Sequence, residues 1–295
     1  DTILFNPPYL PQDSFPDDPA TIGGKEGWET IERFLLTAPD HLSLNGKILL
    51  LFTSRTNKDK VHELINDALL DWTMLATNHI EFETYYVYTL MKNAVRKDAE
   101  KNGVTTISYL AKGKRGLVFS GKQKGKNVVL KIKNPSSNAF GRLANEARIL
   151  KIVNKKGIGP KLLFSTENVV CCAFADGTIV RDWLPTASQR AALTVLRDVL
   201  KQCFVLDTLG LQKEEMHHPY KHIIVGKKNV LIDFERGHHT ERPHNVTQFC
   251  QYIASLTPQL AEKKIFVKPL LLRRLAANYS RVPGQKTLEP LLALL

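Results

Sequence analysis

Cysteine is scarce in this sequence. Four thiols, Cys171, Cys172, Cys203 and Cys250, stand in 295 residues, and none has metal-ligand spacing. The adjacent pair Cys171-Cys172 falls in an apolar run and reads as core, which argues for a reducing, cytoplasmic setting rather than a disulfide framework. Long apolar runs are missing too. None approaches the ~18–20 residues that cross a bilayer, so no membrane span is expected. No signal peptide is expected in the opening residues, which read as a strand. What the chain does have is 43% hydrophobic and 24% charged residues, enough for a real core. At roughly 100–200 residues per domain, its length favours two domains.

Charge is unevenly spread. Residues 1–93 hold 7 Lys/Arg against 14 Asp/Glu, and residues 94–295 hold 34 against 15, within an overall net charge of +12. Two pieces with different partners are expected. The break falls in the polar stretch "MKNAVRKDAEKNGVTT", read as a linker over 94–104. The basic piece suits phosphate-rich ligands or nucleic acid.

In the acidic piece, "DTILFNPP" reads as a short buried strand and "WETIERFLLTAPDHL" has helical spacing. "KILLLFTS" is a run of parallel-strand type, "KDKVHELINDALL" a second helix, and "HIEFETYYVYTLMK" one or two aromatic strands. This βαβαβ pattern predicts a doubly wound α/β sheet, with ligands outside the carboxyl ends of its strands. Asn6-Pro7-Pro8-Tyr9 lies at such an end. Proline fixes the backbone, the Asn6 side chain and a backbone carbonyl can meet a planar nitrogen-bearing group, and the Tyr9 ring can stack on it.

Through "FNPPYLP", "DDPATIGGKEGWETIERFL", "GKILLLFTS" and "EFETYYVY", residues 1–93 resemble the release-factor glutamine methyltransferases of the HemK type, most closely their archaeal and eukaryotic branch. The resemblance implies that Asn6 hydrogen-bonds a target amide, that Pro7 and Pro8 set the turn and Pro7 supplies a carbonyl, and that Tyr9 packs on the target side chain. The methyl donor of that family is S-adenosylmethionine. The family's Gly-rich cofactor loop and acidic ribose-binding residue precede NPPY, so the chain is expected to begin midway through that fold. It would then use S-adenosylmethionine only when the other half is supplied, and it would carry an open strand edge.

In the basic piece, "SYLAKGKRGLVFSGKQKGKNVVLKIK" reads as strands joined by Gly-rich turns. Against the kinase loop G-x-G-x-x-G-x-V it places Ala111, Gly113, Gly116 and Val118. Glycines let backbone N–H groups approach phosphates, and Val118 would cover an adenine face. Lys131, or Lys133 on the same strand face, stands where a kinase carries its phosphate-binding lysine. Glu146 lies on the next helix, where such a lysine finds its partner. The backbone near Phe174–Gly177 would form the adenine-binding hinge. "HIIV" and "NVLIDF" form a hairpin ending at Asp233, a carboxylate suited to Mg²⁺, and His222 precedes the first strand at a second metal-ligand position.

Residues 105–250, most strongly "NEARILKIVNKKGIGPKLL" and "LIDFERG", resemble the small archaeal protein kinases related to the RIO type and to the kinase of the threonylcarbamoyl-tRNA complex. The resemblance implies ATP and Mg²⁺ as cofactors and a serine/threonine protein substrate. The usual H-x-D catalytic loop is replaced by "KEEMHHPYKH", leaving Glu214 or Glu215 as the base and Lys221 to steady the transferred phosphate.

The expected fold is therefore α/β followed by α+β: a partial class I methyltransferase sheet over 1–93, then a compact bilobal protein-kinase-like fold over 105–295, with lobes over about 105–173 and 178–295. The expected partners are a protein substrate of release-factor, ribosome or tRNA-associated kind, and RNA through the basic half, including the helix with Lys268, Arg273, Arg274 and Arg281. The competing reading is an ATP-binding scaffold or RNA-binding module with a non-catalytic methyltransferase remnant.

Overall fold

The computed structural model describes residues 1–12, 18–112, 116–133 and 142–295. The chain divides into two compact units, Asp1–Asn138 with Thr166–Cys171, and Ala139–Ser165 with Cys172–Leu295. Among the described residues, no helix is long and apolar enough to cross a membrane.

The first unit opens with β1 (Thr2–Phe5), β2 (Leu10–Pro11), β3 (Ile22–Gly24), α1 (Glu29–His41), β4 (Lys47–Thr53), α2 (Lys58–Asp67), β5 (Leu70–Ile80) and β6 (Glu83–Lys92). Four of these strands form one sheet in the order β1-β4-β6-β5. β1 and β4 run parallel, with Phe5 opposite Leu50, whereas β6 is antiparallel to both β4 and β5. The parallel sheet expected from the alternating pattern is thus confined to β1–β4. The cause is local: β5 and β6 are joined by a two-residue turn with Glu81 left-handed at φ 50°, and so short a connection admits only antiparallel partners.

β4 was expected to be apolar on both faces. Its alternate residues Ile48, Leu50 and Phe52 are buried, while Leu49 and Leu51 are half-buried. The buried set shares one core with Ile31 and Leu35 of α1 and Val61 and Ile65 of α2. Burying each such side chain contributes roughly 1.5–3 kcal/mol before chain entropy is counted.

The stretch read as a linker is instead a helix, α3 (Ala94–Lys101), started by the Asn93 side chain accepting from the Arg96 amide at 2.9 Å. Arg96 is 1% exposed. It donates to the Ala68 carbonyl at 3.0 Å and to Glu100 Oε1 at 2.8 Å, and it pairs with Asp40. Lys92, also buried, donates to the Leu42 carbonyl and to Glu100. Of the charges that made this stretch look solvated, Lys92, Arg96 and Glu100 are drawn into this network, while Lys101 stays exposed.

β7 (Val104–Lys112), β8 (Gly116–Gln123) and β9 (Lys126–Lys133) form an antiparallel meander. Lys124 and Gly125, at φ 49° and 74°, make the two-residue turn from β8 to β9, and its positive φ values match the strand twist.

The chain continues through α4 (Arg142–Val153), β10 (Leu162–Ser165), β11 (Val169–Ala173), β12 (Thr178–Ile179), α5 (Val180–Trp183), α6 (Gln189–Thr208), β13 (Leu211–Gln212), β14 (Ile223–Val225), β15 (Val230–Leu231), β16 (His238–His239), α7 (Asn245–Ser255), α8 (Thr257–Glu262), α9 (Pro269–Arg281) and α10 (Gln285–Leu294). In the second unit, β12, β14 and β15 form a small antiparallel sheet, and β13 pairs with β16. Helices α6, α7, α9 and α10 pack together around a buried carboxylate. Asp207 of α6 accepts from the Asn245 amide at 3.0 Å, Asn245 Nδ2 at 2.8 Å, the Val246 amide at 3.2 Å and the Tyr279 hydroxyl at 3.0 Å. Burial pushes its carboxyl above the usual carboxylate range, and the four donors oppose that shift.

Candidate functional site

In the first unit, Asn6-Pro7-Pro8-Tyr9 leaves the carboxyl end of β1 and is held from three directions. The Tyr9 and Leu10 amides both donate to the Thr21 carbonyl, at 3.1 and 3.0 Å. Thr56 Oγ1, beyond β4, donates to the Tyr9 carbonyl at 2.8 Å. Two glycines then close on the turn. A Cβ on Gly23 would stand 2.4 Å from the Pro8 carbonyl oxygen, and one on Gly27, whose φ is +85°, would stand 2.5 Å from the Tyr9 carbonyl oxygen. The "TIGGKEG" stretch is therefore glycine-rich because backbone must touch backbone here.

Pro7 is buried, and Asn6 is exposed at the rim. The Tyr9 ring meets Tyr85 edge-on, with centroids 6.5 Å apart. Burial, then the adjoining Tyr85 and Glu83, raises the Tyr9 phenol above its ordinary value. It stays neutral and able to donate. The backbone of the turn is thus held in place, with the Asn6 amide exposed at its rim and the Tyr9 ring against Tyr85, groups of the kind that a neutral planar amide can meet. Thr56, Gly23 and Gly27 were not singled out from the sequence. Only the Gly-Gly and Lys-Glu-Gly spacing signalled them.

On the meander of the same unit, Val118 faces Ala111 on one neighbour and Lys131 on the other. Lys131 is half-buried, whereas Lys133, opposite Gly116, is exposed. Gly113 lies outside the described residues.

In the second unit, the structure gathers Glu146, Glu215, His222 and Asp233. Three residues of the site adopt left-handed backbone: Glu214 and Glu215 at φ 60° and Asp233 at φ 65°. Non-glycine residues held there cost about 1–3 kcal/mol each, and such strain clusters at functional positions. His222 lies between two carboxylates, its Nε2 3.3 Å from Glu215 Oε2 and its Nδ1 3.8 Å from Asp233 Oδ2. Arg236 pairs with the other oxygen of Glu215. Glu214 turns instead toward His238, at 3.7 Å.

Helix α4 clamps the segment after Asp233. Glu146, 3% exposed, accepts from the Phe234 amide at 3.4 Å. Asn145 donates to the Glu235 and Gly237 carbonyls at 3.0 and 2.8 Å, and Arg142 pairs with Glu235 at 3.3 Å. Lys213, buried, donates from Nζ to the Asp233 carbonyl at 3.1 Å and rides over the Phe234 ring at 5.2 Å. Lys213, Arg236 and Asn145 were not legible from the sequence. A lysine next to Glu214-Glu215 and an arginine two places after Phe234 were the available signals. Lys221 is exposed and, behind Arg181, helps hold the Asp182 carboxyl low. Phe174 is 39% exposed.

Among the described residues, no group of three or more His, Cys, Asp or Glu is arranged to hold a metal ion by itself. A Mg²⁺ ion would need one or two carboxylates, with water and phosphate oxygens completing its shell, and Asp233 is the residue that could offer one. His222, with both ring nitrogens turned toward carboxylates, fits a positioning group better than a Mg²⁺ ligand, as its softer nitrogen donors also dictate.

No family model matches the sequence. Over 71 residues the chain is 39% identical to a putative protein N5-glutamine methyltransferase of Methanocaldococcus jannaschii, an alignment covering 22% of this chain and 36% of that protein. The chain thus spans about a third of the length of the curated relative it matches. Among solved structures, it is 29% identical to a chain from the E. cuniculi Mtq2–Trm112 complex, which is responsible for methylation of the eRF1 translation termination factor. That match covers 32% of this chain and 52% of the other, at a TM-score of 0.27, too low to carry an argument. The sequence alignment shows similarity to a protein glutamine methyltransferase over a short region.

Proposed function

We propose that residues 1–93 form the acceptor side of a protein glutamine N5-methyltransferase. The carrying observation is the NPPY turn itself, locked by Thr21, Thr56, Gly23 and Gly27 with Asn6 at its rim. Asn6 binds the glutamine amide, the Pro7 carbonyl accepts its second N–H, and Tyr9 packs on the side chain. S-adenosylmethionine supplies the methyl group when it is bound, and the residues of this chain orient the nitrogen that receives it. The substrate class is a protein with an accessible glutamine, of the release-factor kind that the sequence resemblance implies. Binding of a glutamine-bearing peptide, followed by NMR shifts of Asn6 and Tyr9, tests this. The glutamate counterpart should bind at least tenfold more weakly, and Asn6→Ala should remove the preference. Equal binding of the two peptides would refute the assignment.

A second activity is proposed for the second unit: Mg·ATP-dependent phosphate transfer to a serine or threonine. It is favoured by one observation, the left-handed Asp233 beside His222 and Glu215 beneath α4. Asp233 holds the metal, Glu215 takes the hydroxyl proton, and His222 and Arg236 position Glu215. Transfer from labelled Mg·ATP should disappear in Asp233→Ala. Unchanged transfer in that variant would remove Asp233 from the site.

A further inference from the structure

The second unit holds a cleft of about 1160 Å³ that the proposed chemistry does not use. One wall is the end of α4 with the turn that follows, carrying Lys151, Lys155, Lys156 and Lys161. The lining also includes α6 with Lys201, and the β14–β15 turn carrying Lys227 and Lys228. All seven lysines are exposed. The lining includes one carboxylate, Asp198, and amides occupy it: Gln202 Nε2 and Asn229 Nδ2 donate to its Oδ2 at 2.9 and 2.8 Å. Among the described residues, none of the seven lysines is in an ion pair. Seven like charges converging on one cleft repel one another unless an anion is present.

The cleft is also shaped and rigid. Asn154 donates to the Ile158 and Pro160 carbonyls at 2.9 and 3.0 Å and accepts from the Leu162 amide at 2.7 Å, which fixes the turn bearing Lys155, Lys156 and Lys161. At its edge stands Phe174, a ring 39% exposed that also lines the cleft. Lysines alone fit any polyanion. Lysines tracking a groove beside an exposed aromatic ring are the combination that unpaired nucleic acid requires, phosphates on the cations and a base on the ring.

We propose that this cleft binds single-stranded nucleic acid, with the backbone along the lysines and a base stacked on Phe174. The site is separate from Asp233 and Glu215, so it stands or falls without the phosphotransfer reading.

The test is fluorescence anisotropy of the full chain with a labelled 12-nucleotide single strand, as RNA and as DNA, between 50 and 200 mM salt and without ATP. With about five phosphates engaged, affinity should fall on the order of a hundredfold across that range. Lys227→Glu with Lys228→Glu should weaken binding at least tenfold and flatten the logarithmic salt slope by about 1.4. Phe174→Ala should weaken it at least fivefold and leave the slope intact. Arg273→Glu with Arg274→Glu, on the exposed face of α9, should leave both unchanged. Preference for RNA over DNA, or the lack of one, identifies the source of the strand. The proposal is overturned if wild type binds neither strand at 50 mM salt, or if the α9 pair rather than the lysine pair abolishes binding. It is equally overturned if polyglutamate displaces the strand and Phe174→Ala is silent, the signature of an acidic protein partner. Circular dichroism of each folded variant separates loss of site from loss of fold.

Discussion

The Thr56 hydroxyl donates to the carbonyl of Tyr9 across 2.8 Å, joining positions 47 residues apart. Thr56 is fully buried, so the bond is shielded from water. Thr56→Val keeps the shape and removes the donor. It should lower unfolding free energy by about 1–3 kcal/mol in urea titrations and weaken glutamine-peptide binding in parallel. Thr56→Ser should retain most of both.

Gly27 and Gly125 share left-handed backbone and differ in surroundings. A Cβ on Gly27 meets the Tyr9 carbonyl, whereas one on Gly125 meets nothing within 4 Å. Gly125→Ala should cost about 1 kcal/mol, the strain of its φ alone. Gly27→Ala adds a backbone clash and should cost several-fold more, with loss of the peptide preference. Equal losses in denaturant unfolding would contradict the close approach.

Arg96 neutralises Asp40 and Glu100 inside the first unit. Arg96→Met leaves the Ala68 carbonyl without its donor and removes the bonds to Asp40 and Glu100, and should destabilise by about 1–3 kcal/mol. If urea unfolding detects less than 1 kcal/mol, α3 is not the anchor its contacts indicate.

Glu215 faces His222 and Arg236, whereas Glu214 faces His238. If phosphate transfer occurs, Glu215→Gln should reduce its rate by 10²–10⁴-fold, the usual worth of a general base. Glu214→Gln should change it by less than tenfold. A reversed order would move the base to Glu214.

All four cysteines are buried, and burial pushes the Cys171 and Cys250 thiols up to about 12 and raises Cys203 as well. An unfolded thiol titrates near about 8.5. These thiols favour the folded state fully below that pH, and the contribution is lost as pH rises from there toward the folded values. The urea midpoint should therefore fall between pH 8.5 and 11. Replacing Cys203 and Cys250 by Ala should lower the neutral-pH midpoint while flattening that alkaline decline. In the native protein at pH 8, a thiol reagent should label none of the four.

Helices α1 and α2 and strands β1, β4 and β6 were legible because period and punctuation act locally, as with Gly46 before β4 and the alternation in β6; β5 was not, since most of Leu70–Ile80 precedes the stretch read as strand. The NPPY motif was legible for the same reason, since two prolines and a strand end need no distant information. The mixed sheet was not, because a two-residue turn decides strand direction and periodicity is blind to it. The linker that became α3 was not, because composition registers charge but not its burial against Asp40 and Glu100. At the second site, the sequence marked Asp233 as a metal carboxylate and Glu146 as the partner of Lys131, and left Glu214 and Glu215 equivalent. Only the tertiary fold separates them: it places Glu215 toward His222 and Arg236 and Glu214 toward His238. The lysine cleft belongs wholly to the fold. Its charges come from segments spread between 151 and 228, and only packing brings cations that distant in sequence onto one surface.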